Sequence, residues 1–206
     1  KPMVEIGGMP ILWHIMKIFK QQGFNDFTLA LGYKGGAIKD FFINQNKLTG
    51  DIFLSLENNK SKMLQNIHDN WSISMIETGL NTNTGGRLKR LKKHINGTFI
   101  FSYGDGLSNV NLKKLIEFHK KKKKLATITV VHPKPRFGVV KLEDGLIQKF
   151  EEKKTSSKDF INGGFMILEE KVLDFIKDDT TSFEFDTLRY LSSINELAGY
   201  FHDNLN

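Results

Sequence analysis

The chain has no cysteine among its 206 residues. That excludes a disulfide framework, a thiolate nucleophile and any zinc site built on sulfur. No stretch approaches the roughly 18 consecutive apolar residues of a membrane span, so no membrane partner is expected. There is no Gly-x-Ser-x-Gly elbow and no P-loop, which removes the common serine-hydrolase and Walker-type readings. The six histidines (His14, His68, His94, His119, His132 and His202) include no i, i+4 pair, so a histidine metal site is not expected. No basic-apolar-small leader opens the sequence, and the expected location is the cytoplasm. The Asn-x-Ser/Thr patterns at Asn70 and Asn96 are then chance matches. The first residue is Lys1 rather than Met, which raises the expectation of one domain, 1–206, truncated at both ends.

What is present reads as a globular protein: 39% hydrophobic and 26% charged residues exclude wholesale disorder. The net charge is +7, from 30 Lys+Arg against 23 Asp+Glu. Five of the lysines form one run, Lys120–Lys124, behind Leu112, Leu115, Ile116 and Phe118. Those four fall at helical spacing, so the run reads as the last turn of an amphipathic helix, where cations meet the negative end of the dipole. A nucleic-acid surface would interleave aromatics with Lys and Arg. Here the aromatics fall in the apolar phases of helices and strands, so no nucleic-acid partner is expected.

Helix and strand patterns alternate. Ile11, Leu12, Ile15, Met16 and Phe19 make one helical face, stopped by Gly23. Phe27–Leu31 reads as a strand, Lys34–Ile43 as a helix, and Ile52–Leu56 and Trp71–Ile76 alternate as strands. Arg87–Lys93 suggests a short helix behind Gly85-Gly86, Phe99–Phe101 a short strand, and Ala126–Val131 a β-branched strand. Further on, Asp144-Gly145 between Val139–Leu142 and Leu146–Phe150 predicts a hairpin. Gly164–Leu168 is expected as a strand, Val172–Ile176 and Asp186–Leu191 as helices, and Gly199–His202 as a strand. The segment Asn44–Asn70 holds six Asn and is expected to be the most mobile. Strand–helix–strand order up to Val131 predicts a mostly parallel, doubly wound sheet, with a mixed or antiparallel part after it.

Three places could carry chemistry. Tyr103-Gly104-Asp105-Gly106 closes an apolar strand, where ligands of open α/β sheets bind. Its carboxylate is either a metal ligand between two small residues or an Asp-Gly turn. The stretch Thr78-Gly79, Thr82 and Thr84-Gly85-Gly86-Arg87 is either an ordinary loop or one whose glycines let backbone approach a flat ligand while the guanidinium donates to it. Phe150-Glu151-Glu152-Lys153 with Ile161-Asn162-Gly163-Gly164-Phe165 is either a solvated hairpin end or a sugar-phosphate site, hydroxyls going to Glu and Asn and phosphate to Lys.

In this order, the pieces resemble a known family. Lys1-Pro2-Met3-Val4-Glu5-Ile6-Gly7-Gly8 and Pro10–Met16 look like the start of a sugar-nucleotide pyrophosphorylase just after its phosphate loop. Within that superfamily, Thr84–Arg90, Tyr103–Gly106, Arg136-Phe137-Gly138, Ile161–Phe165 and Tyr200-Phe201-His202 are similar to the glucose-1-phosphate cytidylyltransferases. The resemblance implies a Rossmann-like, doubly wound mixed α/β sheet of the GT-A-like nucleotidyltransferase kind, with a small β-rich sugar-binding part. It implies a nucleotide-binding portion over 1–130 and a sugar-phosphate-binding portion over 131–206. The implied reaction makes CDP-glucose and pyrophosphate from CTP and α-D-glucose 1-phosphate with Mg2+, in a homo-oligomer, feeding dideoxysugar synthesis for bacterial surface polysaccharide such as lipopolysaccharide O-antigen.

Residue by residue, the resemblance puts Lys1 at the nucleotide and in catalysis, Thr82 and Arg87 on the cytidine, Gly104 lining that pocket, and Asp105 as magnesium ligand and catalytic residue. Glu152, Lys153, Asn162 and Gly163 fall on the sugar-phosphate side, with Lys154 where the related motif often has Pro. The family's glycine-rich phosphate loop would precede Lys1, and a second metal-binding aspartate would follow His202. Other readings are a sugar-1-phosphate nucleotidyltransferase using dTTP, UTP or GTP, and a metal-dependent glycosyltransferase.

Overall fold

The computed structural model describes residues 1–49, 51–64, 70–132, 139–143, 146–151 and 160–202. Two short strands, β1 (Glu5–Ile6) and β2 (Met9–Pro10), turn through Gly7 and Gly8, both at positive φ. Then come α1 (Ile11–Gln21), β3 (Asp26–Leu31), α2 (Gly35–Thr49), the hairpin β4 (Ile52–Ser55) and β5 (Lys60–Met63), and β6 (Ser72–Glu77). The chain continues through α3 (Thr84–Arg90), a 3-10 turn (Lys92–His94), β7 (Phe99–Ser102), α4 (Leu112–Lys122) and β8 (Ala126–Val131). The hairpin β9 (Val139–Glu143) and β10 (Leu146–Glu151) leads to β11 (Ile161–Leu168) and a 3-10 stretch (Glu170–Phe175). A π-helical segment (Phe183–Leu188) runs into α5 (Arg189–Ser193), and β12 (Leu197–Phe201) follows.

Local chemistry explains most boundaries. α1 buries Leu12, Ile15, Met16 and Phe19, one stripe at i, i+3, i+4, i+7, and Gly23 at φ +92° leaves the helix by the left-handed route. α4 starts on Asn111, whose side chain accepts the Lys114 N–H. Lys120–Lys122 do sit in its last turn, but Lys123 lies outside the helix as a left-handed cap at φ +51°. The expected inward face is also modified: His119 is fully buried beside Leu112 and Leu115, while Ile116 and Phe118 are half-buried. The Asn-rich segment supplies the end of α2 and the β4–β5 hairpin, and residues 50 and 65–69 lie outside the described set.

The sheet is mixed in a way that strand order along the chain does not show. A four-stranded sheet runs β12-β8-β11-β7, with β12 parallel to β8 and β11 antiparallel to both its neighbours. The antiparallel element is therefore inside the sheet, between β7 and β8, rather than confined to a later part. β3 and β6 pair in parallel, Asp26↔Ser72 through Leu31↔Glu77.

β11 is covered on both faces, so four successive residues, Phe165 to Leu168, are buried. Phe165 and Ile167 face a core built with Ile15 and Phe19 of α1 and Leu112 and Leu115 of α4. Met166 and Leu168 face the other core, with Leu88, Val172, Leu173, Ile176, Phe183 and Leu191. The Phe19 ring stacks on Phe165 at 5.8 Å and meets Phe27 edge-on at 6.1 Å, so α1 packs on both β11 and β3.

One polar cluster borders this core, with His119 and Thr127 buried, Glu169 half-buried and Thr98 exposed. His119 contacts the Thr127 hydroxyl through Nδ1 at 2.8 Å and Glu169 Oε1 through Nε2 at 2.9 Å, and Glu169 also accepts from Thr98 Oγ1. Burial alone would raise the Glu169 carboxyl, but the hydrogen bonds from His119 and Thr98 outweigh it and hold the group below its ordinary value.

Two measurements check this account. Phe165→Ala is expected to cost about 3–5 kcal/mol in urea unfolding, because it opens a cavity where two elements meet. A carboxyl whose folded pKa is depressed adds stability above its ordinary range and loses it as pH falls through the folded value. Glu169→Gln is therefore expected to lower the unfolding midpoint at pH 7, the gap to wild type closing as pH falls below the ordinary value of 4.5.

Candidate active site

The Gly-Gly step of β11 meets the carboxyl end of β7. Pairing of Phe165 with Ser102 sets Asn162–Gly164 alongside the turn that starts at Tyr103. The pairing of β11 with β8 slips between Asn162 and Met166, a bulge of the kind that often borders active sites. Two glycines make it possible. Gly164 sits at φ +85° against the Tyr103 ring, and a Cβ on Gly163 would fall 2.7 Å from Thr129 Oγ1. The buried Thr129 hydroxyl repairs the interrupted ladder, donating to the Phe165 carbonyl at 2.9 Å and accepting the Phe165 N–H at 3.2 Å.

Tyr103 is the side chain around which this end is organised. Its hydroxyl donates to Glu184 Oε1 at 2.6 Å, and Glu184 Oε2 accepts from Thr84 Oγ1 at 2.8 Å and Ser182 Oγ at 3.1 Å. Beside it, Asn162 Oδ1 accepts the Gly164 N–H at 2.9 Å. Burial, then the Glu184 carboxylate, push the Tyr103 phenol far above its ordinary value, so it stays a neutral donor at any working pH. Burial would also raise Glu184, but the hydroxyls of Tyr103 and Thr84 outweigh it and hold the carboxyl below its ordinary value.

Past Tyr103, Asp105 is exposed on its turn. Gly104 packs against the amino-terminal segment, and a Cβ there would sit 3.3 Å from Pro2 Cγ. That segment is pinned to the start of α1 by Leu12 N–H to Pro2 O at 3.0 Å and Ile11 N–H to Val4 O at 2.8 Å. The exposed Lys1 is thus carried, through Pro2, to the strand end that bears Asp105.

α3 supplies a second wall. It begins at Thr84, not at Arg87 as its spacing suggests, so Gly85 and Gly86 lie inside the helix. Their small size also has another cause than expected. A Cβ on Gly85 would fall 2.7 Å from Thr181 O, and one on Gly86 would fall 2.5 Å from Asp179 Cα, so they admit the 179–181 backbone rather than a ligand. Arg90 pairs with Asp179, and Lys89 Nζ donates to the carbonyls of Ile176 and Lys177 at 2.8 and 2.7 Å, fastening the same contact.

Arg87 is half-buried, its guanidinium laid on Gly32. Nη1 donates to Gly79 O at 2.8 Å, Thr78 Oγ1 at 2.9 Å and Leu31 O at 3.2 Å, and Nη2 donates to Leu80 O at 3.2 Å. This ties the carboxyl ends of β3 and β6 together. Thr82 is buried, with its hydroxyl close over Gly79, which adopts φ +90°.

The structure therefore gathers Lys1, Gly104, Asp105, Asn162 and Gly163 around one strand end. It joins α3, which bears Arg87, to them through Thr84, Glu184 and Tyr103. Glu152, Lys153 and the Arg136-Phe137-Gly138 motif lie outside the described residues. Glu184 carried no signal in the sequence beyond an acidic residue at the start of a helical turn. Among the described residues no helix is long and apolar enough to cross a membrane.

The chain resembles known proteins in sequence and fold. Residues 1–204 match the nucleotidyl transferase family, and the chain belongs to it. Within that family it is similar to particular enzymes. It is 39% identical to glucose-1-phosphate cytidylyltransferase of Salmonella typhi, covering 98% of this chain and 79% of that one. It is 44% identical to the probable glucose-1-phosphate cytidylyltransferase of Bacillus subtilis (strain 168), covering 98% and 80%. Among solved structures, HddC from Yersinia pseudotuberculosis matches with a TM-score of 0.69 at 25% identity, over 97% of this chain and 80% of that one.

The two kinds of glycine give a paired test. Gly86→Ala is expected to destabilise by about 1–3 kcal/mol, the usual cost of forcing extra volume into a packed contact. Gly36→Ala, where a Cβ meets nothing within 4 Å, is expected to stabilise by about 0.4–1 kcal/mol. Urea unfolding of both variants reads the difference.

Proposed function

We propose that the protein is a glucose-1-phosphate cytidylyltransferase, making CDP-glucose and pyrophosphate from CTP and α-D-glucose 1-phosphate. The observation that carries this is its 39–44% identity, over nearly the whole chain, to proteins of that name. The gathering of Asp105, Asn162 and α3 at one strand end supports it. In this reading residues 1–130 bind mainly the nucleotide and 131–206 mainly the sugar phosphate, with both portions contributing strands to one sheet. CTP is a cytoplasmic metabolite, so the enzyme works there, and its product feeds deoxysugar units of a bacterial surface polysaccharide. A homo-oligomer is part of the same proposal. The β4–β5 hairpin is its candidate contact, since Ile52, Phe53, Leu54 and Leu56 are all exposed.

A sugar-phosphate oxygen is already anionic, so no general base is required. It attacks the α-phosphorus of CTP, the bond to the bridging oxygen breaks, and pyrophosphate leaves with the electron pair. The work of the protein is to hold two anions in line and to bear the charge that gathers at phosphorus. Lys1 and Lys153 supply positive charge to the phosphates. Asn162, Glu152 and the Gly163 backbone bind the sugar phosphate, and Gly104 leaves room for the nucleotide. Thr82 and Arg87 hold the cytidine, Arg87 giving donors to O2 and N3, which a pyrimidine with N3–H cannot fully match.

The donor set at the strand end suits Mg2+. This ion commonly uses one or two carboxylates and takes the rest of its six oxygens from water and substrate phosphates. Asp105 is the exposed carboxylate that would hold it. Among the described residues no group of three His, Asp or Glu side chains is arranged for a metal. When bound, Mg2+ supplies neutralisation of phosphate charge.

The test uses the full-length gene product with α-D-glucose 1-phosphate, Mg2+ and each of CTP, UTP, dTTP, ATP and GTP. Pyrophosphate release with CTP alone is the expected result. Release with another nucleotide would make it a different sugar-1-phosphate nucleotidyltransferase, and no release from folded protein would overturn the reading. Asp105→Asn is expected to lower kcat by about 10²–10³-fold, in line with loss of one charge-stabilising group. Arg87→Ala is expected to erase the CTP-over-UTP preference in kcat/KM, and an unchanged preference would remove Arg87 from base selection.

A further inference from the structure

Charge is distributed unevenly over this molecule. The stretch Lys113–Lys124 holds seven lysines and one carboxylate, Glu117, so +6 of the net +7 sits there and the rest of the chain is nearly neutral. Six of the seven are exposed, and Lys124 is half-buried. Among the described residues no carboxylate pairs with any of them. The two carboxylates that border the carboxyl end of α4 are engaged elsewhere. Glu169 accepts from His119 and Thr98, and Glu196 Oε2 accepts the Leu125 N–H at 3.1 Å.

The helix dipole accounts for Lys120–Lys122, which occupy the last turn of α4. It does not account for the others. Lys113 and Lys114 lie in the first turn, where cations face the positive end of the dipole. Lys123 holds the left-handed cap at φ +51°, a place that usually falls to glycine or asparagine. Lysine thus stands where helix chemistry favours other residues, and what these positions share is charge.

The character of the face narrows its partner. The Phe118 ring is half-buried, edge-on to Tyr200 at 5.4 Å and covered by Lys122 Nζ at 5.3 Å, so α4 offers no aromatic platform. Single-stranded nucleic acid is held by base stacking as well as charge, and this face supplies charge alone. A layer of anionic lipid headgroups needs only a broad array of cations, each adding its own attraction. The placement also suits a flat partner. β7 and β8 both run antiparallel to β11, so the carboxyl end of β7 and the amino end of β8 lie at opposite edges of the sheet. Lys120–Lys124 lead into β8 at Ala126, at the edge away from Asp105. A membrane met there leaves the strand end that carries the site turned toward solution.

We propose that the outer face of α4 and its cap attach the protein reversibly to an anionic membrane surface. Such attachment is peripheral and needs no spanning helix; without an apolar anchor it is weak and screened by salt.

The test pellets the full-length gene product with lipid vesicles, without substrate, so failure of the enzymatic activity leaves the readout untouched. Co-sedimentation is expected with phosphatidylcholine vesicles containing about 30% phosphatidylglycerol at about 50 mM salt, with release at about 500 mM and none on pure phosphatidylcholine. Lys120→Gln, Lys121→Gln and Lys123→Gln together are expected to weaken binding at least about tenfold while pyrophosphate release stays within about twofold of wild type. Lys60→Gln, Lys62→Gln and Lys93→Gln remove the same charge from other exposed positions and are expected to leave binding within about twofold. If the first triple variant does not fold, Lys113→Gln with Lys114→Gln takes its place, since neutralising the first turn relieves the dipole, and a loss of at least about threefold is expected. No sedimentation at low salt, equal binding to neutral vesicles, or an equal loss in the control variant each overturns the proposal. If single-stranded RNA strips the protein from the vesicles at about 150 mM salt, the face is a nucleic-acid surface and the proposal falls.

Discussion

The constraint on which the rest depends is the burial of β11 on both of its faces. A strand with one wet face can slip in register at modest cost. Phe165 to Leu168 cannot, because a shift of one residue would send Phe165 and Ile167 into the core built for Met166 and Leu168. Two cores of different shape therefore hold one strand in one place. With that register fixed, Asn162, Gly163 and Gly164 emerge beside Tyr103, and the bulge that frees them from the ladder is tolerated because the rest of the strand is so firmly seated.

From that strand end outward, the site is joined by a few specific contacts, some polar and some close packing on glycine. Glu184 links α3 to β7, the Tyr103 ring packs on Gly164 of β11, and Pro2 against Gly104 brings in the amino-terminal segment. Arg87 closes the other side by tying β3 to β6. Each of these contacts joins elements far apart in sequence, so the candidate site is a product of the whole fold and not of any one motif.

Much of this was legible in the sequence. The stripe of Leu12, Ile15, Met16 and Phe19 and the β-branched run at β8 each announced their element, because periodicity reports which face is buried, whereas the alternation read over Ile52–Leu56 found a strand whose apolar side chains are exposed. The strand-end Asp105 and the pair Asn162-Gly163 were likewise visible as polar and glycine residues where apolar runs stop. What was not legible came from long-range packing. Nothing local says that β11 inserts antiparallel between β7 and β8, since that depends on which edges remain open after the earlier strands pair. Gly85 and Gly86 read as either an ordinary loop or room for a ligand, and only the 179–181 backbone reveals them as room for the chain itself. His119 and Glu184 carried no local sign of their partners Glu169 and Tyr103, which lie 50 and 81 positions away.

The grip of Arg87 on the ends of β3 and β6 has a thermodynamic consequence. Its Nη1 already serves three acceptors before any ligand arrives. A group that recruits this guanidinium from those acceptors exchanges one set of hydrogen bonds for another, and the net gain in binding is small. A group that draws the guanidinium away without an equivalent exchange leaves the Gly79 carbonyl without this donor, and that costs binding. A side chain so occupied contributes little to how tightly a molecule is held and a great deal to which molecule is refused.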